Sequence, residues 1–180
     1  MHTEAISGLM MFGLYGAVFL APFVQEDAAV LGGTAIAQTA PQPVFIYAAL
    51  FAGLIASDTW KYGAGRLATR SAYVQRLQAK PIAARIGALI DAHLGLALLT
   101  ARFVPGTRIP LYVLSGLRRA PLPKFLTFLT LSAAAYIALS AGLVALIGPQ
   151  AAIGLAIAAL VALAGVGLFA ALRRPANTAA

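Results

Sequence analysis

Residues 89–117 read LIDAHLGLALLTARFVPGTRIPLYVLSGL, and the fold turns on how this stretch divides. Its apolar content suits a membrane, yet Pro105-Gly106 stands in its middle, a dipeptide that ends helices and turns the chain. The arms at 89–104 and 109–117 are then each too short to cross a hydrocarbon core of roughly 30 Å comfortably. Two short arms joined by a turn predict a re-entrant hairpin over 86–117. Irregular backbone at membrane depth is tolerated only where it is buried in protein or lines a wet cavity.

A second stretch, 6–40, repeats the pattern. Residues 6–21 run apolar up to Pro22, Gln25-Glu26-Asp27 interrupts, and 28–40 runs on. At 1.5 Å per residue the arms are about 24 and 20 Å long, so this too predicts a re-entrant hairpin. Both tips carry charge, and the expectation is that they meet inside the protein. Three further segments are long enough to span: 44–64, entered after Pro41 and Pro43, then 124–147 and 150–172, separated by the turn Gly148-Pro149. With 61% hydrophobic and 10% charged residues in 180, a soluble globule is excluded. The expectation is a single all-α membrane domain.

Charge orients it. No Lys or Arg precedes Lys61, after which Arg66, Arg70, Arg76, Lys80 and Arg85 arrive in one connection. The positive-inside rule puts that connection in the cytoplasm, together with Arg118, Arg119 and Lys124 and with Arg173 and Arg174 at the end. The two hairpins then enter from opposite sides, each followed by spanning helices, in an inverted-repeat, transporter-like layout. Residues 1–6 lack the basic n-region of a signal peptide, so they are expected to be retained. Residues 66–79 intersperse Leu67, Tyr73, Val74 and Leu77 with basic and amide side chains. They read as an interfacial amphipathic helix against anionic lipid, or as a solvated linker. The net charge of +8 is spread beside apolar segments, which points to a membrane surface rather than nucleic acid.

With no cysteine there is no disulfide and no thiolate ligand. A metal site is not expected around the lone His93, and no cofactor motif is present. The set Ser, His and carboxylate needed to build an enzyme is also missing, so the expectation is a non-enzyme.

The run Thr100-Ala101-Arg102-Phe103-Val104-Pro105-Gly106-Thr107-Arg108, followed by Gly116, resembles the signature of the DedA family, the SNARE-associated or VTT-domain membrane proteins. Glu26 with Gly33 resembles the family's acidic tip, with Val24-Gln25 in place of the usual proline and glycine. Ser57-Asp58, Tyr62 and Gly65-Arg66 resemble its Gly-Asp, Tyr and Gly-Arg stretch. The acid that some members carry about twelve positions before the tip is Leu14 in this chain. The likeness runs over 12–172. It implies movement of a lipid phosphate across the cytoplasmic membrane, undecaprenyl phosphate in bacteria.

Physical chemistry suggests how such a substrate would be held. Two guanidinium groups offer planar, bidentate donors to a phosphate, so Arg102 and Arg108 are the head-group candidates at the Pro105-Gly106 tip. Glu26 or Asp27 is the candidate proton-coupling acid, with protons as partner. Asp58 and Arg66 are weaker candidates. Blander roles compete: Arg108 satisfying tip carbonyls, Arg102 paired with Asp91 or Glu26, one of Glu26 and Asp27 capping a helix that starts at Ala28, and Asp58 paired with Lys61 or Arg66. A proton-coupled small-solute exporter and a non-transporting membrane-organising factor are the alternative functions. The sequence leaves an oligomer open.

Overall fold

The computed structural model describes residues 2–68, 81–104 and 107–172, and among these the regular structure is helical throughout. In chain order the helices are α1 (His2–Val24), α2 (Glu26–Thr39), α3 (Pro43–Leu67), α4 (Pro81–Ala101), α5 (Arg108–Leu117), α6 (Leu122–Ile147) and α7 (Pro149–Leu172). Proline stands at the first position of α3, α4 and α7, where its missing N–H is not needed and its fixed φ favours the helix. Gly148, at φ +88°, makes the turn before Pro149. Apart from residues 66–68, the expected interfacial helix at 66–79 lies outside the described residues, as do Pro105 and Gly106.

Among the described residues, three helices are long and apolar enough to span a membrane: α3, α6 and Pro149–Val166 of α7. Their outward faces carry large apolar side chains; Leu146, Val161 and Val166 are each about two-thirds exposed or more. A water-facing surface would not carry them so densely, whereas hydrocarbon is their natural solvent. The chain is therefore a helical membrane protein. Helix α1, at 23 residues and about 34 Å, is longer than the arm the sequence predicts and could reach across a core of roughly 30 Å, whereas α4 is broken at His93.

The chain forms two compact units, Met1–Leu50 with Ser140–Ala180, and Phe51–Leu139. In the first, α1 and α2 pack on each other and α2 packs along α7. Small residues make this close: Ala35 and Ala152 are fully buried with Val144, and a Cβ placed on Gly32 would lie 3.8 Å from that of Ala156. Gln38 closes the far end of α2 by donating from Nε2 to the Ala141 carbonyl at 2.9 Å.

The interruption between α1 and α2 is shorter than the sequence predicts. The first helix starts at His2, continues past Pro22 to Val24, and only Gln25 is non-helical. Gln25 has an extended backbone, and its side-chain oxygen accepts from the Ala28 N–H. That corrects the capping expectation: Gln25 is the cap, and Glu26 and Asp27 lie in the first turn, where carboxylates meet the positive end of the helix dipole.

In the second unit α4 packs on α5. The backbone of α4 departs from helix at His93 (φ −143°, ψ 53°), so the apolar arm that leads to the tip begins near this kink. The C-terminus of α5 is closed by backbone bonds from Arg119 N to Gly116 O and from Ala120 N to Ser115 O, at 3.0 and 2.9 Å. Arg119 adopts φ 54° to make them, the left-handed position that ends many helices.

Candidate functional site

The site of interest lies in the second unit, and a close helix crossing sets its geometry. A Cβ on Gly65 of α3 would stand 2.0 Å from the Val113 carbonyl oxygen, and one on Gly116 of α5 would stand 2.0 Å from that of Tyr62. Each glycine thus admits the other helix's backbone. The crossing is pinned by the Tyr62 hydroxyl, which donates to the Ala120 carbonyl at 2.7 Å and accepts from Arg66 Nη1 at 3.1 Å. Phe125 packs between Tyr62 and Tyr112, with ring centroids 4.7 and 5.7 Å away.

This crossing brings the end of α3 beside the residues that follow α4. Arg102, the first residue past α4, is 3% exposed. Its Nη2 donates to Asp58 Oδ2 in a fully buried ion pair, and its Nε donates to Ser132 Oγ at 3.3 Å. Asp58 Oδ1 accepts from Lys61 Nζ at 3.0 Å, one turn along α3. Both predicted arginines flank one ring: the Arg102 and Arg108 guanidinium carbons lie 5.8 and 5.9 Å from the Tyr136 centroid, within cation–π reach. The charges of Arg102 and Arg108 both act on Asp58 and on Lys61.

Three cations therefore gather around one carboxylate, the only acid among the described side chains of this unit. Asp58 is matched by Arg102 and Lys61, and Arg108 adds a third, half-buried positive charge that acts on it. Such a cluster is costly for a protein to hold unless an anion balances it.

Several expectations change here. The partner of Arg102 is Asp58, in place of Asp91 or Glu26, because the Gly65–Gly116 crossing carries α3 to the tip. The side chain of Asp91 lies outside those described. The expected Asp58–Lys61 pair is present, while Arg66 donates to Tyr62. Thr107 also ties the tip, its hydroxyl lying 3.2 Å from Ala101 O and 2.9 Å from Val104 O as donor. Arg108 itself is half-buried.

Glu26 and Asp27 belong to the first unit, Glu26 buried at 8% exposure and Asp27 half-buried. Below them, Leu14, Val18 and Ala21 of α1 face Ala29, Gly33 and Ile36 of α2 across a cavity of about 330 Å³, which Gln25 borders. Gly33 is closed on by Leu50, whose Cδ2 would be 3.1 Å from a Cβ there. Among the described residues no group of acids and histidines is placed to hold a metal ion.

Ser132, Tyr112 and Tyr136 were missed in the sequence. The signal available was helical spacing. Tyr112 is four residues after Arg108, and Ser132 and Tyr136 are four apart in an otherwise apolar span, so each pair shares a helix face. No family model, characterised protein or solved structure matches the chain.

Proposed function

We propose that this protein carries a phosphate-bearing lipid across the cytoplasmic membrane, with Arg102 and Arg108 gripping the head group while the hydrocarbon tail stays in the bilayer. The observation that carries this reading is the gathering of Lys61, Arg102 and Arg108 around Asp58 at the second tip, with both arginines flanking the Tyr136 ring. A phosphate oxyanion suits so basic a cluster, and two guanidinium groups offer it several charge-assisted hydrogen bonds. The resemblance to the DedA family points to the same chemistry and to undecaprenyl phosphate as the lipid.

The shortness of α2, 14 residues, and of α5, 10 residues, supports two re-entrant hairpins, and the distribution of Lys and Arg supports their entering from opposite sides with the basic connections cytoplasmic. Glu26, buried beside a helix break, is the group we assign to proton coupling, and anionic lipids would draw the basic connections to the inner leaflet. Pro105 and Gly106 would allow the backbone to come close to the phosphate.

The test is a flip assay for fluorescent polyprenyl phosphate in liposomes. Arg102→Lys and Arg108→Lys should each lose most of the transport while the protein remains folded, because a point charge cannot reproduce the planar fork. No flipping by the unaltered protein would overturn the reading. Proton-driven efflux of another solute that Glu26→Gln abolishes and both arginine variants keep would instead favour an exporter, and no transport of either kind would leave a membrane-organising role.

A further inference from the structure

The second tip holds two buried polar atoms that complete no hydrogen bond with any described residue: Arg102 Nη1 and the Tyr112 hydroxyl. Arg102 is 3% exposed and Tyr112 fully buried. They are neighbours: the Arg102 guanidinium comes within hydrogen-bonding reach of the Tyr112 oxygen without meeting strict bond geometry, and the charges of Asp58 and Arg108 also act on the phenol. The other nitrogens of the guanidinium are committed, Nη2 to Asp58 and Nε to Ser132. The Tyr112 ring is fixed edge-on to Phe125, 5.7 Å between centroids.

A buried donor left unmatched costs about 1–3 kcal/mol, more when charged. Two of them side by side, at the end of a helix crossing held by the Gly65–Gly116 contact, are an arrangement that packing alone does not require. A hydrocarbon side chain would fill the place of Tyr112 without that cost.

We propose that Arg102 Nη1 and the Tyr112 hydroxyl together receive one unesterified oxygen of a phosphate, making Tyr112 a binding residue of this site. The inference rests on the phosphate-binding reading above and adds a ligand and a specificity to it. The charge on the oxygen meets the guanidinium, and the phenol donates the second hydrogen bond. Because both donors are shut away from the surface, the oxygen they take must be a terminal one. A phosphate monoester, on a lipid or free, presents three such oxygens, while a diester presents two and must also thread a second substituent through the protein. The site therefore favours monoesters.

The experiment uses the full chain in detergent and in lipid nanodiscs. Binding of inorganic phosphate, farnesyl phosphate and a dialkyl phosphodiester is measured by calorimetry for the unaltered protein, Tyr112→Phe and Arg102→Lys. Tyr112→Phe should weaken both inorganic phosphate and farnesyl phosphate by about tenfold, the loss of one hydrogen bond to a charged group. Its melting temperature without ligand should be unchanged or higher. The diester should bind more weakly than farnesyl phosphate to the unaltered protein, and that gap should narrow in Tyr112→Phe.

If inorganic and farnesyl phosphate bind and Arg102→Lys weakens them while Tyr112→Phe leaves them unchanged, the role of Tyr112 is overturned and the phosphate reading stands. If no phosphate ligand binds the unaltered protein, both fall. Equal loss for inorganic and farnesyl phosphate identifies the oxyanion alone as what is recognised. Farnesyl phosphate binding without inorganic phosphate binding places recognition on the lipid. Should Tyr112→Phe fail to assemble, difference infrared spectra of the ring-labelled unaltered protein report the same contact. A phenol C–O band that phosphate does not shift overturns the proposal.

Discussion

The α1–α2 hairpin and the α4–α5 tip both fold apolar helices back around a break, but they are held together by opposite means. The first is packed through alanine and glycine, with a cavity between its arms and its carboxylates in the opening turn of α2. The second is tied by an ion-paired arginine, a serine and a glycine crossing where backbone touches backbone. Small-residue packing in lipid relies on dispersion and tolerates small changes, whereas a buried charge network fails when one member is removed. Substitution should therefore be severe at the second region and mild at the first.

The largest effect should come from Asp58→Asn. It leaves Arg102 charged and unmatched in a buried setting, at a cost of about 3–5 kcal/mol, and the melting temperature in detergent should fall sharply. Adding Arg102→Gln should restore much of the loss, because the double variant buries no unpaired charge. Strict additivity of the two changes would show that the pair contributes little to holding the tip. Lys61 should matter less, since its side chain keeps 18% exposure and can extend toward the interface.

Next in size is Gly116→Ala. The new methyl would stand 2.0 Å from the Tyr62 carbonyl oxygen, and the neighbour is backbone, so α3 and α5 must move apart. Overpacking of this kind costs about 1–3 kcal/mol. The displacement should also disturb the Asp58–Arg102 pair, so phosphate binding should weaken along with stability. A variant that melts normally and binds normally would contradict the close crossing.

These two positions show what could be read from the sequence. The spans, the break between α4 and α5 and the turn at Gly148-Pro149 follow from apolar length and proline placement, which are local properties. Arg102 and Arg108 stand out because charge in an apolar stretch is rare. The partner of Arg102 could not be found in this way. Asp58 is 44 residues away, and the contact depends on the crossing at Gly65 and Gly116, whose depth is a tertiary fact. The cap at Gln25 was missed for a different reason: Glu26 and Asp27 have stronger cap preferences on average, but the backbone turns one residue earlier. Tyr112, Ser132 and Tyr136 lacked any local mark beyond spacing.

In the first region the same glycine-to-alanine change should do much less. At Gly33 the added methyl would meet Leu50 Cδ2 at 3.1 Å and Cδ1 at 3.3 Å. Those atoms end a flexible side chain that can move a few tenths of an ångström. Alanine also favours helix over glycine by about 1 kcal/mol, so the net change in stability should lie within about 1 kcal/mol of zero. A loss as large as that of Gly116→Ala would mean that the hairpin is as rigidly fitted as the second tip.

The smallest effect, with the opposite sign, should come from Gly32→Ala. A methyl at this position would rest 3.8 Å from the Ala156 Cβ, ordinary van der Waals contact, so it adds packing between α2 and α7 without forcing them apart. Gly32 is helical, and replacing it removes backbone freedom from the unfolded chain at no cost in the folded one. Stability should rise by up to about 1 kcal/mol. Thermal melting in detergent, compared with Gly33→Ala under the same conditions, isolates the contribution of the neighbour, since the two sites share a helix and differ in what faces them. A gain at Gly32 with no gain at Gly33 would confirm that contact geometry, rather than helix propensity, ranks glycines in this hairpin. A loss at Gly32 would require α7 to press on α2 more tightly than 3.8 Å allows, and the contrast between a permissive first hairpin and an exacting second tip would go with it.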